Sequence, residues 1–292
     1  MALVVQKYGG TSVGSLDRMK VVAERALRCQ RAGNDVVLIV SAMSGETNRL
    51  LGMAHQISAT PEMREMDVLA ATGEQVSAAL VAMTVQALGG KARSLLGHQV
   101  NIQTDAAFTK ARINTIEGSK VRSTLDRGEI AVVAGFQGVD PDGNITTLGR
   151  GGSDTSAVAV AAAIKADVCE IFTDVDGVYT TDPNVCPSAR KIDRISYEEM
   201  LELASLGAKV LQIRSVEFAG KYLVKLRVLS SFEDPESSGP GTLITFEEND
   251  SMEQAIISGI AFNRDEARIL VMGVEDRPGI AVGAEVLAGV EA

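Results

Sequence analysis

Residues 2–42, ALVVQKYGGTSVGSLDRMKVVAERALRCQRAGNDVVLIVSA, decide the fold class of this chain. Residues 2–8 and 35–42 are apolar runs rich in β-branched side chains, which is typical of buried strands. Between them, apolar residues recur at helical spacing until Gly33 ends the pattern. Two strands joined by a helix form a βαβ unit, so this stretch predicts an α/β fold with parallel strands.

The same alternation of strands and helices continues to about residue 219. Further strands are predicted over residues 130–136, 145–148 and 168–173. Further helices are predicted over residues 74–88, 154–166 and 209–219, and another after the capping box Ser196-x-x-Glu199. The pattern therefore predicts a mostly parallel central sheet covered by helices.

A change of composition near the C-terminus predicts a domain boundary. Residues 236–241, ESSGPG, interrupt the alternation, and a new pattern with strands at 256–262 and 267–272 begins at about Met252. We therefore expect one domain over residues 1–247 and a second segment over residues 248–292.

Composition excludes several classes of function. The chain has 292 residues and a formal net charge of -10, which argues against binding to nucleic acid or an anionic membrane, since both draw on clustered Lys and Arg. Its three cysteines have no CxxC spacing and indicate neither a disulfide framework nor a zinc site. The apolar runs are shorter than the roughly 20 residues of a membrane span, and no signal peptide is recognisable, so we expect a cytoplasmic protein.

Four loops that follow predicted strands carry glycine together with Lys, Arg, Ser or Asp. They are KYGGTS (7–12), SAMSGET (41–47), GRGGSD (149–154) and TDVDGVY (173–179). Ligands of open α/β sheets bind beyond the carboxyl ends of the strands, and paired glycines let backbone N–H groups approach phosphate oxygens. The P-loop motif GxxxxGK[ST] is absent, so the loops predict a nucleotide site of another kind.

The side chains in these loops suit phosphoryl transfer to a carboxylate. Such an acceptor is already ionised at neutral pH, so the reaction needs no general base, and neither of the two histidines lies in one of these four loops. Lys7 and Lys209 are candidates for neutralising phosphate charge. Arg150 suits a substrate carboxylate, and Glu74 suits an α-ammonium group. An amino acid is therefore the expected acceptor.

The motifs together resemble the aspartate kinases of the amino acid kinase superfamily. The resemblance is carried by residues 7–13 (KYGGTSV), 40–48 (VSAMSGETN), 72–74 (TGE), 136–138 (FQG), 148–155 (LGRGGSDT) and 173–183. It implies a three-layer amino acid kinase fold and the phosphorylation of L-aspartate to 4-phospho-L-aspartate, toward lysine, threonine and methionine. The implied cofactors are ATP and Mg²⁺, with no metal site formed by the protein's own residues.

The resemblance also implies a role for each matching residue. Lys7 and Asp154 would be catalytic, with Asp154 orienting Lys7 rather than acting as a base. The residues implied to contact ATP are Lys7, Gly9, Gly10, Ser41, Thr173, Asp174, Tyr179, Asp182 and Lys209. The residues implied to contact aspartate are Thr47, Glu74, Leu125, Asp126, Arg150, Gly151, Gly152 and Ser153.

Family members carry a C-terminal pair of ACT modules that bind lysine or threonine and join subunits. Residues 252–281 resemble the start of the first module, whereas 282–292 depart from the pattern. The resemblance thus implies a partial ACT-like α+β segment over 248–292. We expect a homo-oligomer and little response to lysine or threonine.

Two other interpretations stay open from the residues alone. The chain could be another carboxylate-phosphorylating kinase, acting on glutamate or N-acetylglutamate, although Glu74 disfavours an acetylated amine. It could also be a non-catalytic partner subunit of a full-length kinase, which intact Lys7, Arg150 and Asp154 disfavour.

Overall fold

The computed structural model describes residues 1–208, 210–233, 239–246 and 259–261. The strands are Leu3–Tyr8 (β1), Asp35–Val40 (β2), Ala92–Leu95 (β3), Ile102–Thr104 (β4), Ile113–Ile116 (β5), Ile130–Ala134 (β6), Gln137–Val139 (β7), Ile145–Thr147 (β8), Val168–Thr173 (β9), Val178–Tyr179 (β10), Lys191–Ile192 (β11), Arg194–Ser196 (β12), Leu226–Ser230 (β13) and Thr242–Thr245 (β14). The helices are Leu16–Arg31 (α1), Glu46–Ile57 (α2), Met63–Ala87 (α3), Ser119–Leu125 (α4), Gly152–Ala163 (α5), Tyr197–Ser205 (α6) and Ile213–Tyr222 (α7).

An eight-stranded sheet forms the middle layer, in the order β12-β14-β13-β9-β1-β2-β6-β3. All neighbouring strands in it are parallel except β13 and β14, which are antiparallel. The predicted mostly parallel central sheet is confirmed. Because β1 lies between β2 and β9, the loops after these three strands meet at one edge of the sheet.

Helices cover both faces of this sheet, and alternate residues of each strand point to opposite sides. On one face Val36, Leu38 and Val40 pack with apolar residues of α1 and α3. On the other face Val37 and Ile39 pack with residues of α4, α5, α6 and α7. These two buried cores make three layers, as the predicted α/β class requires.

Two smaller sheets flank the main one. Strands β5, β4, β7 and β8 form a four-stranded sheet, and β10 pairs with β11. The sequence predicted only β8 among these strands, because most of the others have two to four residues and show too little alternation. The prediction likewise missed α2.

Helix α3 begins well before its predicted start at residue 74. It runs from Met63, just after Pro61, because its buried face continues through Asp67, Ala70 and Ala71. Because this buried face contains polar and small residues, the sequence does not show apolar residues at the helical spacing there. By length and composition α3 is the one described helix that could cross a membrane. Half of its most apolar 18-residue stretch is buried inside the protein, as in a core helix.

Other predicted bounds are close to the observed ones. Strand β9 matches its prediction, α5 begins two residues earlier and α7 four residues later than predicted, and the capping box before α6 is confirmed. The boundary near residue 248 and almost all of the segment 248–292 lie outside the described residues. Within that segment only 259–261 are described, and they are not in a strand.

Candidate active site

A cavity of roughly 180 Å³ opens at the carboxyl edge of the central sheet. Strands β1, β2 and β6 end beside it and α5 begins there, so the connecting loops form its wall. A second cavity of roughly 290 Å³ shares Ser41, Thr47 and Glu74 with the first. The first cavity is lined by Lys7, Ser41, Thr47, Glu74, Phe136, Gly149, Arg150, Gly151, Gly152, Ser153 and Asp154.

Lys7 and Asp154 form an ion pair in this cavity. Lys7 lies at the penultimate position of β1, and its Nζ is 2.6 Å from Oδ1 of Asp154 in the first turn of α5. The two side chains are only 11% and 12% exposed, so water screens the pair weakly. The short distance is that of a charge-assisted contact between an ammonium group and a carboxylate. Asp154 therefore fixes the position of the Lys7 ammonium group.

The paired glycines after β1 let two loops pack together. A Cβ on Gly10 would lie 2.8 Å from the carbonyl oxygen of Ala42, so no larger residue fits without movement. The Gly10 carbonyl also accepts a hydrogen bond from the Ser44 N–H. A Cβ on Gly9 would lie 3.5 Å from Lys7 Nζ, the ammonium group that lines the cavity. The loops after β1 and β2 thus form one wall.

Glu74 is a carboxylate buried at the cavity wall. It is 3% exposed, and its Oε1 accepts a hydrogen bond from the Ala42 N–H, while Oε2 has no partner among the described residues. Burial raises the pKa of Glu74 to about 7, against the lowering effect of the Ala42 N–H. An ammonium group placed at Oε2 would supply the missing partner and favour the ionised form.

Arg150 lies between two glycines in the left-handed conformation. Gly149 and Gly151 have φ of +75° and +71°, a region where a side chain is strained. The Arg150 side chain is exposed toward the cavity and forms no ion pair with a described residue. Its five donors suit a carboxylate held bidentately.

The N-terminus of α5 faces the same cavity. Its N-cap, Gly151, provides no side-chain cap, so N–H groups of the first turn remain available to an anion. Only glycine at position 152 lets the Phe136 ring pack against this turn, because a Cβ there would lie 2.8 Å from Cδ2 of Phe136. Ser153 is buried in the same turn. Beside the paired Asp154, the site therefore combines a lysine, an arginine and a helix N-terminus with one unpaired buried carboxylate, Glu74.

Among the residues implied to contact ATP, those after β9 lie outside both cavities. Thr173 ends β9, and its Oγ1 donates a hydrogen bond to Oδ1 of Asp174. Because β9 pairs with β1, this turn lies at the same sheet edge as the loop after Lys7. Lys209 lies outside the described residues.

Tyr179 and Asp182 belong to the short hairpin region beyond β9. The Tyr179 hydroxyl donates to Oδ1 of Asp176, whose Oδ2 accepts from Lys191 Nζ at 3.1 Å. Oδ1 of Asp182 accepts from the backbone N–H and side-chain Nδ2 of Asn184, closing a turn. In this structure both side chains thus bond to their own segment.

The structure does not bring Leu125 and Asp126 to the cavity. Leu125 ends α4 and is buried in the core beside Val121 and Val133. Asp126 is exposed just after this helix. Neither residue lines either cavity.

Sequence reasoning assigned no contact to Phe136, and it placed Gly149 in a candidate loop without giving it a role of its own. Phe136 follows β6 at the sheet edge and has φ of +67°, which is unusual for an aromatic residue. Its N–H is bound by Ser156 Oγ, and its carbonyl accepts from the Leu148 N–H. Phe136 was predicted as the last residue of a buried strand, where an aromatic side chain indicates core, and only the FQG motif (136–138) of the resemblance pointed to this position.

The described residues contain no group of three or more His, Cys, Asp or Glu side chains that could hold a metal ion. The two acidic residues in the first cavity are Glu74 and Asp154, and Asp154 is paired with Lys7. This donor set fits an ion that arrives on phosphate oxygens and keeps most of its water.

Comparison with known proteins identifies the family. The profile of the amino acid kinase family matches residues 2–230. An aspartokinase from Pseudomonas aeruginosa is 62% identical over 282 residues, covering 96% of this chain and 68% of that protein. An aspartokinase from Mycolicibacterium smegmatis is 52% identical over 96% of this chain and 66% of its own length.

Solved structures agree with these matches. An aspartate kinase from Synechocystis superposes with a TM-score of 0.74 and 49% identity, over 84% of this chain and 40% of that one. E. coli aspartokinase III in complex with aspartate and ADP superposes with a TM-score of 0.73 and 27% identity, over 85% of this chain and 65% of that one. This chain thus spans about two thirds of the length of these aspartokinases and 40% of the length of the Synechocystis enzyme. It belongs to the amino acid kinase family, among the aspartate kinases.

Proposed function

We propose that this chain transfers the γ-phosphoryl group of ATP to the side-chain carboxylate of L-aspartate, giving ADP and 4-phospho-L-aspartate. One observation carries the proposal: unpaired Glu74 and unpaired Arg150 line one small cavity together with the Lys7–Asp154 pair. A small acceptor with one ammonium and two carboxylate groups matches these charges. The aspartokinase III complex, which contains aspartate and ADP, supports the same pairing of ligands.

Recognition of aspartate follows from the charges around the cavity. Oε2 of Glu74 accepts from the α-ammonium group, and Arg150 donates two parallel hydrogen bonds to a carboxylate. Ser153 and the first-turn N–H groups of α5 lie on the same wall. These contacts hold the second carboxylate toward Lys7.

Transfer needs charge neutralisation rather than a base. An oxygen of the side-chain carboxylate forms a bond to the γ-phosphorus as the bond to the β,γ-bridging oxygen breaks, and ADP leaves. Lys7 stabilises the negative charge that spreads over the phosphoryl oxygens, and Asp154 keeps Lys7 in place. Mg²⁺, when bound to the phosphates, neutralises part of the same charge. The nucleotide would extend past Gly9 and Gly10 toward the turn after β9.

The setting of this activity is a further part of the proposal. We expect a cytoplasmic enzyme whose product feeds lysine, threonine and methionine synthesis. We also expect a homo-oligomer, because α3 exposes Val76 and Met83 seven residues apart on one face. Light scattering of the purified chain measures its oligomeric state.

A coupled ADP-release assay with three acceptors tests the proposal. Aspartate should support ADP release. N-acetylglutamate should not, because an acetylated amine leaves Glu74 buried and unpaired, and glutamate should not, because its side-chain carboxylate lies one methylene further from the ammonium group. Faster release with N-acetylglutamate would assign the chain to another amino acid kinase. No release with any acceptor would favour a non-catalytic partner subunit.

Arg150→Lys supplies a second test of the same site. Lysine keeps the charge but loses the fork that matches a carboxylate. The KM for aspartate should rise about tenfold while the KM for ATP changes less than about twofold. Equal changes in both values would place Arg150 away from the acceptor.

A further inference from the structure

Two charged residues hold the chain just before the Arg150 loop. Thr147 ends β8, and Leu148 connects it to Gly149, where the loop begins. Asp67 of α3 binds this segment from one side, and Arg214 of α7 binds it from the other. Neither of them lines the cavity.

Asp67 is a buried carboxylate that accepts hydrogen bonds from two residues, Thr147 and Thr109. It is 1% exposed, and its oxygens accept from the Thr147 N–H at 2.8 Å and the Thr147 hydroxyl at 2.6 Å. They also accept from the Thr109 N–H at 2.9 and 3.0 Å. A buried carboxylate with acceptor-only oxygens thus fixes β8 against the segment around Thr109.

Arg214 binds carbonyl groups of the same two segments. Its Nη1 donates to the Leu148 carbonyl at 2.8 Å, and its Nη2 donates to the Ala111 carbonyl at 2.9 Å. The Ala111 N–H in turn donates to the Thr147 carbonyl. The planar guanidinium group therefore spans both segments and limits how they can shift.

Helix α3 connects this brace to the other end of the acceptor site. Asp67 and Glu74 are seven residues apart, so they lie on the same face of the helix, roughly 10 Å apart along its axis. Both are buried, and α3 packs against the central sheet through Ala78 and Val81. One rigid helix thus carries Glu74 to the cavity and Asp67 to the base of the Arg150 loop.

We propose that Asp67 and Arg214 are positioning residues that set the separation between Glu74 and the Arg150 guanidinium group, and so the length of the acceptor amino acid. The inference rests on the proposed function, because it concerns how that acceptor is held. Asp67 acts through Thr147, and Arg214 acts through Leu148, both adjoining the Gly149–Gly151 turn. A loosened brace lets Arg150 move away from the position that matches aspartate.

Asp67→Asn tests this with Asp140→Asn as a matched control. Asp140 is 2% exposed and also accepts backbone N–H groups, from Asp142 and Asn144, but in the turn that precedes β8, at the far end from Arg150. Asp67→Asn should raise the KM for aspartate about tenfold, with the KM for ATP within about twofold. Asp140→Asn should leave both KM values within about twofold of wild type at comparable loss of Tm.

The pattern of KM and kcat distinguishes positioning from mere stabilisation. A purely structural Asp67 would lower Tm and the active fraction, so kcat would fall while both KM values stayed constant. An unchanged KM for aspartate in Asp67→Asn overturns the inference. Wild-type protein without aspartate-dependent ADP release overturns the proposed function itself, so the two failures are distinguishable.

A double-mutant cycle shows whether Asp67 acts through Arg150. In an Arg150→Lys background, Asp67→Asn should raise the KM for aspartate less than about twofold further, because the group that it positions is already lost. Full additivity overturns the inference. If Asp67→Asn does not fold, Thr147→Val removes a single hydrogen bond to Asp67, and Arg214→Lys removes one of two carbonyl contacts. Each should reproduce the selective rise in KM.

Discussion

Glu74 shows how one residue links burial to substrate recognition. Its carboxylate lies in the cavity wall with a pKa of about 7, so near neutral pH about half of the free enzyme carries the charge that an ammonium group needs. The KM for aspartate should therefore rise about tenfold between pH 8 and pH 6 as this group is protonated. Initial rates at several pH values measure this, with the KM for ATP as the internal reference.

Glu74→Gln is the matching control for that pH profile. Glutamine has nearly the same shape but carries no charge, so the KM for aspartate should be high and independent of pH. A sloping profile in the variant would assign the titration to another group.

The same carboxylate should limit the stability of the ligand-free protein. Its pKa is raised from 4.5 to about 7 on folding, so the stability associated with the protonated form is present below pH 4.5 and lost as the pH rises through 7. Relative to wild type, Glu74→Gln should gain on the order of 3 kcal/mol between pH 4.5 and pH 8. Urea unfolding at the two pH values checks this, and an equal difference at both would contradict it.

Lys7→Ala should abolish most of the turnover. The change removes the cation that faces the transferring phosphoryl group, so kcat should fall by about 10²–10³-fold. Lys20→Ala is the control, because Lys20 is exposed on α1 and forms a long, solvent-exposed ion pair with Glu24, at 4.0 Å. Near wild-type kcat in Lys7→Ala would remove Lys7 from the mechanism.

The partner of Lys7 needs a separate control. Lys7→Ala leaves Asp154 as an unpaired carboxylate of low exposure, which by itself destabilises the fold. Adding Asp154→Asn should restore Tm without restoring kcat. Recovery of both would mean that the pair has a structural role alone.

Sequence reasoning was strongest for charged residues, because a charged side chain is rarely buried in a hydrophobic core. Lys7, Arg150 and Asp154 stand out in glycine-rich loops, and the structure brings all three to one cavity. Leu125 is apolar and ends a helix, and it packs in the core. Asp67 was missed because a buried carboxylate is recognised by its partners, which lie some 40 and 80 residues away in sequence.

At the scale of elements, long strands and capped helices were predictable. Strands β2 and β6 are almost entirely apolar, β1 and β9 are mostly apolar, and the Ser196–Glu199 box forms both of its hydrogen bonds. The start of α3 was not predictable, because its buried face includes Asp67, Gly73 and Glu74, which interrupt the apolar pattern of a core helix. Local pattern therefore failed where the chain carries function.

The contact between the loops after β1 and β2 gives a prediction at this scale. Gly10→Ala places a methyl group 2.8 Å from the Ala42 carbonyl, so the loops must separate, at a cost of about 1–3 kcal/mol. The catalytic efficiency kcat/KM for ATP should fall together with Tm. Both are measured by initial rates and thermal unfolding.

Gly52→Ala is the opposing control for that change. Gly52 lies inside α2, and a Cβ there would meet no atom within 4 Å. Alanine should stabilise this helix by about 0.5–1 kcal/mol and leave kinetics unchanged. If Gly10→Ala behaved in the same way, the loop contact would have no functional role.

At the scale of the whole molecule, the two buried cores explain why the α/β class was accessible from sequence. Central strands that are buried on both faces read as largely apolar runs, and these runs alternate with helices. The order of the strands was not accessible, because nothing local in β1 indicates that its neighbours are β2 and β9. Pairing at this distance depends on the packing of the complete chain.

The central position of β1 has a consequence for synthesis on the ribosome. β1 is made before both of its neighbours, and β2 follows it soon, but β9 ends 165 residues after Tyr8, the last residue of β1. At elongation rates of about 5–20 residues per second, one edge of β1 stays unpaired for roughly 8–30 s. An apolar strand with a free edge invites pairing with other nascent chains. Newly made chains should therefore depend on chaperone protection until β9 emerges, and ribosome-bound chains stalled before residue 168 should be more protease-sensitive than those stalled well beyond residue 230.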